Sequence, residues 1–132
     1  MSDLQTTRSA ERLTCATETA PEAMVLRPAG EIFLQTVPML WSDLYAMLED
    51  NCNVVVDLSR IQSIDSSGLQ ALLDVHQLFI QRGQRFVLAE PSAACRKVFG
   101  TGADTSIHTF ESVQAALRSF RSPVGAPSGS TL

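Results

Sequence analysis

The chain has 132 residues, of which 45% are hydrophobic and 18% are charged, and it carries a formal net charge of −4. This composition is typical of one globular domain and excludes a fibrous or wholly disordered chain. The ten basic residues are scattered along an acidic sequence, which argues against a nucleic acid partner and favours a protein partner.

The sequence carries no signal for a membrane, a metal or a cofactor. No apolar run approaches the roughly 18 residues of a membrane span, and the first residues lack the order of a signal peptide. We therefore expect a cytoplasmic protein with no membrane insertion. Cys15, Cys52 and Cys95 lack the spacings of a disulfide framework or a zinc site and predict idle thiols. No metal and no other cofactor is expected, and no Gly-x-x-x-x-Gly-Lys loop is present to hold a nucleotide.

The first part of the chain predicts an arm, two edge strands and a helix. Residues 1–12 are polar and predict a flexible N-terminal arm. Two short apolar stretches at 13–17 and 24–28 are strand candidates separated by a plausible hairpin turn. A first helix is expected to be capped by Thr36 or Val37, with a proline near its first position, and to end at Asn51.

The central stretch predicts a buried strand, a polar turn and a long helix. Val54–Val56 is a β-branched run without polar alternation, as in a strand that is covered on both faces. Asp65 and Ser66 follow, and their side-chain oxygens suit the start of a helix. Gly83 offers that helix a left-handed stop. The apolar stripe of the helix consists of Leu69, Leu72, Leu73, His76, Phe79 and Ile80.

The remaining sequence continues to alternate strands and helices. We expect strands at 86–89 and 107–110, a short helix between them, and a terminal helix over 112–120. Residues 121–132 are rich in Pro, Gly and Ser and predict a disordered tail. The fold class is therefore α/β, with one domain over 13–120. It should hold a mixed β-sheet of four to five strands with helices packed mainly on one face.

Several of these motifs together resemble a known family. A strand ending in Asp57-Leu58-Ser59, a short segment, and then Asp65 to Leu69 at the start of a helix resemble the STAS domain of bacterial anti-sigma factor antagonists. Gly30-Glu31-Ile32 resembles the family's Gly-Glu-Leu/Ile, and Ser92 to Phe99 resembles its short third helix. The resemblance extends over about residues 13–120 and implies the STAS fold.

The resemblance also implies a function. In such antagonists the Ser directly after the Asp is phosphorylated by the anti-sigma factor, itself a serine kinase, and only the unphosphorylated form binds that kinase and so releases a sigma factor. Carried over, the acceptor is Ser66, with Ser67 as second choice, and the protein is a ligand and substrate rather than an enzyme. A phosphatase is a further candidate partner, and a homodimer stays open. The expected partner surface consists of Asp65, Ser66, Ser67, Gly68, Leu69 and Phe33.

Phe33 is a departure from the family, which commonly has an acidic residue at this position. The aromatic ring either contacts a partner or indicates altered phosphoryl transfer. Similar STAS domains brace the ATPase of a lipid-transport ABC complex, which is the alternative function, and a scaffold or oligomerisation module is a third. From the pattern alone, Asp65 and Ser66 could also be only a helix cap.

Asp57 and the two histidines are the residues that could carry other chemistry. Asp57 ends a strand as in a receiver domain, but the early acidic pair and late lysine of that chemistry are missing. We expect Asp57 to brace the loop beneath Ser66. No Gly-x-Ser-x-Gly elbow supports a hydrolase, and His76 lies in the apolar stripe, which predicts a satisfied core histidine. His108 carries no distinguishing pattern.

Overall fold

The computed structural model describes residues 6–9, 12–99 and 107–121. The strands are β1 (Thr6–Ser9), β2 (Leu13–Thr19), β3 (Met24–Ile32), β4 (Val54–Asp57), β5 (Arg60–Ile64), β6 (Phe86–Ala89) and β7 (Thr109–Phe110). The helices are α1 (Val37–Glu49), α2 (Ser66–Gln81), α3 (Ala93–Phe99) and α4 (Val113–Arg121). From β3 onward strands and helices alternate as expected, except that β5 directly follows β4.

The sheet is mixed, which confirms the predicted fold class. The strand order is β1-β2-β3-β4-β6-β7, and β5 pairs with the C-terminal end of β3. The pairs β1–β2 and β2–β3 are antiparallel, whereas the remaining pairs are parallel. Seven strands form the sheet in the described parts of the chain, more than the four to five expected, because β1 and β5 were not anticipated.

The two faces of the sheet have separate apolar cores. Val54 and Val56 of β4 point into the larger core with α1, α2 and α3, whereas Val55 points to the opposite face. This alternation explains why the whole strand is buried. On that opposite face α4 packs Val113 and Ala116 against the sheet. Helices therefore lie mainly on one face, as predicted.

Helix ends follow the local signals. Thr36 is the N-cap residue of α1, with a proline in the first turn, and Asn51 adopts a φ of 61° just beyond its end. Gly83 has a φ of 74° after α2, a conformation that costs glycine little and other residues more. These starts and stops confirm the helix boundaries that the sequence indicated.

Part of the expected N-terminal arm belongs to the sheet. Four residues of the expected flexible arm form β1, which pairs with β2, while residues 1–5 and 10–11 lie outside the described residues. The helix α4 extends to Arg121, and the expected tail from 122 onward also lies outside the described residues.

Among the helices in the described ranges, none combines the length and apolarity that crossing a bilayer requires.

His76 of α2 is buried in the core without the hydrogen bond expected of it. Its side chain is 7% exposed, and Nδ1 has no hydrogen-bond partner in the described part of the chain. Its ring lies against Phe86, with 6.0 Å between centroids. Burial lowers the pKa of His76, and the charge of His108 lowers it further.

The buried His76 makes stability depend on pH. Because its pKa is lower in the folded protein, the unfolded chain binds a proton more readily, so the free energy of unfolding should fall as the pH falls below about 6.5. Above that pH the group is neutral in both states and contributes nothing to the slope. Urea unfolding at several pH values should show a smaller decrease for His76→Leu than for wild type. Equal decreases in the two proteins would contradict this role.

Candidate functional site

The start of α2 is organised by Asp65. This residue has an extended backbone, and its Oδ1 accepts a hydrogen bond from the Gly68 amide at 2.9 Å. Its carbonyl accepts from the Leu69 amide at 3.0 Å. The predicted cap is therefore confirmed, and Asp65 fixes the position of the residues that follow it.

The two serines after Asp65 differ in accessibility. Ser66 is the first residue of α2 and is exposed, whereas Ser67 is half-buried. In the described residues the Ser66 hydroxyl has no hydrogen-bond partner within the protein. A free hydroxyl at a helix N-terminus can receive an anionic group, since the first-turn amides and the helix dipole favour negative charge there.

Gly68 holds the first turn of α2 against the end of β3. A Cβ at Gly68 would lie 2.4 Å from the Ile32 carbonyl oxygen and 2.9 Å from Cγ1 of Ile64. That same Ile32 oxygen accepts a hydrogen bond from the Asp65 amide at 3.3 Å. Only glycine permits this approach without displacing the backbone, so the end of β3 and the Ser66 turn are in fixed contact.

Leu69 and Gly68 are not available as partner contacts, which corrects the expected partner surface. Leu69 is only 7% exposed, and Gly68 is buried. Leu69 belongs to the apolar stripe of α2, so the protein's own packing uses its side chain. Of the turn residues, Asp65, Ser66 and Ser67 have surface that a partner can reach.

The loop after β3 lies next to this turn. Phe33 directly follows β3 and is half-buried. The hydroxyl of Thr36 accepts a hydrogen bond from the Phe33 amide at 2.9 Å and donates one to the Glu31 carbonyl at 2.8 Å.

Leu34, in the same loop, is 68% exposed. No motif in the sequence singles out Leu34.

Asp57 does not brace the Ser66 loop, which corrects a second expectation. Its Oδ2 accepts from Nη1 of Arg27 at 2.7 Å, and its Oδ1 accepts from the Ser59 amide at 2.9 Å. Strand alternation places Asp57 on the α4 face of the sheet with Val55, whereas α2 packs on the other face. Asp57 therefore stabilises the turn between β4 and β5 instead.

Arg27 connects this carboxylate to a second one. Its Nη2 donates to Oε1 of Glu18 at 2.9 Å. Burial alone would lower the pKa of Arg27, but the hydrogen bonds and charges of Glu18 and Asp57 raise it. The guanidinium is therefore a permanent charge held between β2 and β4, and its role is structural.

The cysteines have the character expected of idle thiols. Cys15 and Cys95 are buried, Cys52 is half-buried, and none of the three forms a disulfide within the described residues. Burial raises the pKa of Cys52 and of Cys95. Less of each thiol is ionised at neutral pH as a result, which lowers its reactivity.

Comparison with known proteins places the chain in a family. The model of the STAS domain matches residues 14–116. No curated protein sequence matches the chain. The fold is similar to an anti-sigma factor antagonist from Mycobacterium paratuberculosis, with 25% identity and a TM-score of 0.76 over 87% of this chain and 100% of that chain.

Two more distant structures share the fold. An anti-sigma-factor antagonist (STAS) domain protein from Planctomyces limnophilus has 18% identity and a TM-score of 0.67, over 82% of this chain and 98% of that chain. The Bacillus cell fate determinant SpoIIAA in its phosphorylated form has 20% identity and a TM-score of 0.63, over 80% of this chain and 97% of that chain. With the family model matching most of its length, the chain belongs to the STAS domain family.

Proposed function

We propose that this protein is an anti-sigma factor antagonist whose binding to an anti-sigma factor serine kinase is controlled by phosphorylation of Ser66. The observation that carries the proposal is the exposed Ser66 hydroxyl, which has no partner in the described residues and stands at a rigid helix start in a STAS domain. The protein acts as the ligand and substrate of the kinase, and release of a sigma factor is the outcome of binding.

The electrostatics of the turn support control by a phosphate. A phosphoryl group adds about −1.5 to −2 charges at pH 7. On Ser66 it would stand beside the Asp65 carboxylate, at a helix end whose first turn holds no basic residue. In the free protein water solvates this charge, and the helix dipole favours it. Against a partner it must be desolvated next to a like charge, which opposes binding.

The similar structures support the proposal in two ways. The Mycobacterium paratuberculosis protein, an anti-sigma factor antagonist, is matched over its whole length. SpoIIAA has been solved in a phosphorylated form, which supports the view that this fold accommodates the modification. Phe33, half-buried beside the turn, is proposed as a further contact with the kinase.

Phosphorylation can be located directly. Each serine kinase of the anti-sigma type encoded by the source genome would be incubated with the purified protein, ATP and Mg²⁺, and the phosphate located by mass spectrometry. We expect one phosphate on wild type at Ser66, the same on Ser67→Ala, and none on Ser66→Ala. Unmodified wild type with every kinase would contradict the proposal and favour a subunit that braces a transport ATPase or a scaffold.

A further inference from the structure

Leu34 is an exposed apolar side chain at an unusual place in the structure. It is 68% exposed, and the other large hydrophobic side chain with high exposure in the described ranges is Ile80, at 52%. Single exposed apolar residues are common on protein surfaces. Exposure alone therefore indicates nothing, and the surroundings of Leu34 decide whether it has a role.

The loop that carries Leu34 is rigid. The buried Thr36 is 4% exposed, and its hydroxyl links the Phe33 amide to the Glu31 carbonyl across the loop. The amides of Thr36 and Val37 both donate to the Phe33 carbonyl at 3.0 Å. The backbone on both sides of Leu34 is therefore fixed by hydrogen bonds, which lowers the entropy that the loop loses on binding.

The same loop is tied to the Ser66 turn. Ile32 ends β3, and its carbonyl oxygen accepts from the Asp65 amide and lies against Gly68. Leu34 is two residues beyond Ile32, and Ser66 is one residue beyond Asp65. The exposed leucine and the exposed serine therefore lie two residues and one residue along the chain from the same backbone contact.

We propose that Leu34 is the apolar anchor of the kinase-binding surface and inserts into an apolar pocket of the kinase beside the site that receives the Ser66 hydroxyl. This inference rests on the proposed function. Most of the Leu34 side chain is exposed to solvent in the folded protein. Burying it in an apolar pocket on binding therefore contributes a favourable free energy. The phosphorylation site then decides when the surface binds, and Leu34 contributes to how tightly it binds.

The test compares Leu34→Gln with Ile80→Gln in the full-length protein. Ile80 is the matched control because it is also exposed but lies about 21 Å further along α2 from Ser66, at 1.5 Å per residue. Affinity is measured by calorimetry with the purified kinase that modifies Ser66. Leu34→Gln should bind at least about tenfold more weakly, a change of about 1.4 kcal/mol. Ile80→Gln should bind like wild type, and Leu34→Met should keep most of the affinity.

The outcomes separate this inference from the proposed function. If Leu34→Gln binds like wild type while Ser66 is still phosphorylated, the anchor is overturned and the proposed function stands. Equal weakening by Leu34→Gln and Ile80→Gln would also overturn the anchor, because the effect would not be local. If no kinase binds or modifies wild type, the proposed function fails, and the anchor fails with it. Unchanged melting temperatures verify that each variant is folded.

Discussion

Ser66→Asp should weaken binding to the kinase by at least about 100-fold while leaving the protein folded. The new carboxylate would stand beside that of Asp65 at an exposed helix start. Desolvating it against a partner costs several kcal/mol, and each 1.4 kcal/mol is about a tenfold change in affinity. Stability should be unchanged or slightly higher, because a negative charge in the first turn of a helix is favourable.

Two variants separate charge from shape in that experiment. Ser66→Asn has nearly the size of the aspartate without its charge and should lose much less affinity. Ser67→Asp places the charge on the half-buried neighbour and should lose less affinity than Ser66→Asp if Ser66 is the residue that meets the kinase. Equal binding of Ser66→Asp and wild type, measured by calorimetry, would show that charge at this residue does not control the interface.

Asp57→Ala should lower the free energy of unfolding by about 2–3 kcal/mol. The Asp57 side chain is 7% exposed and pairs with Arg27, which is 30% exposed. Removing Asp57 leaves Arg27 with only one of these two carboxylate partners, and the Ser59 amide also loses its acceptor. The loss should lie below the range for a fully buried pair, because Arg27 is partly solvated and keeps Glu18.

The double variant Arg27→Met with Asp57→Ala tests that explanation. It removes both charges, so its loss of stability should be smaller than the sum of the two single losses. Affinity for the kinase should be unchanged in Asp57→Ala, because the side chain lies on the sheet face opposite α2. A destabilisation below about 0.5 kcal/mol by urea unfolding, or a large loss of affinity, would contradict the role assigned to Asp57.

The parts of the fold that were predictable depend on local signals. Val54–Val56 formed the expected buried strand, because a β-branched run without polar residues fits few other structures. Asp65 capped α2 because its side chain needs only the amides of the following turn. Gly83 ended the helix for a similar local reason, its freedom to adopt a positive φ.

The parts that were missed depend on contacts between distant segments. Asp57 was expected near Ser66, but the alternation of β4 directs its side chain to the sheet face opposite α2. There the positively charged Arg27 of β3 pairs with its carboxylate. Among the described residues, β5 pairs with β3 alone, and its five residues carry no strand signal that distinguishes them from a connecting segment. Leu34 is exposed in a loop that Thr36 ties together by hydrogen bonds to Phe33 and Glu31, and no local pattern indicates this.

The central claim is that phosphorylation of Ser66 abolishes binding to the kinase. The most direct test is calorimetry of one kinase against two preparations of wild type, one unmodified and one phosphorylated to completion and verified by mass spectrometry. We predict that the unmodified protein binds with a measurable dissociation constant and that the phosphorylated protein binds at least about 100-fold more weakly. Equal dissociation constants for the two preparations would contradict the claim.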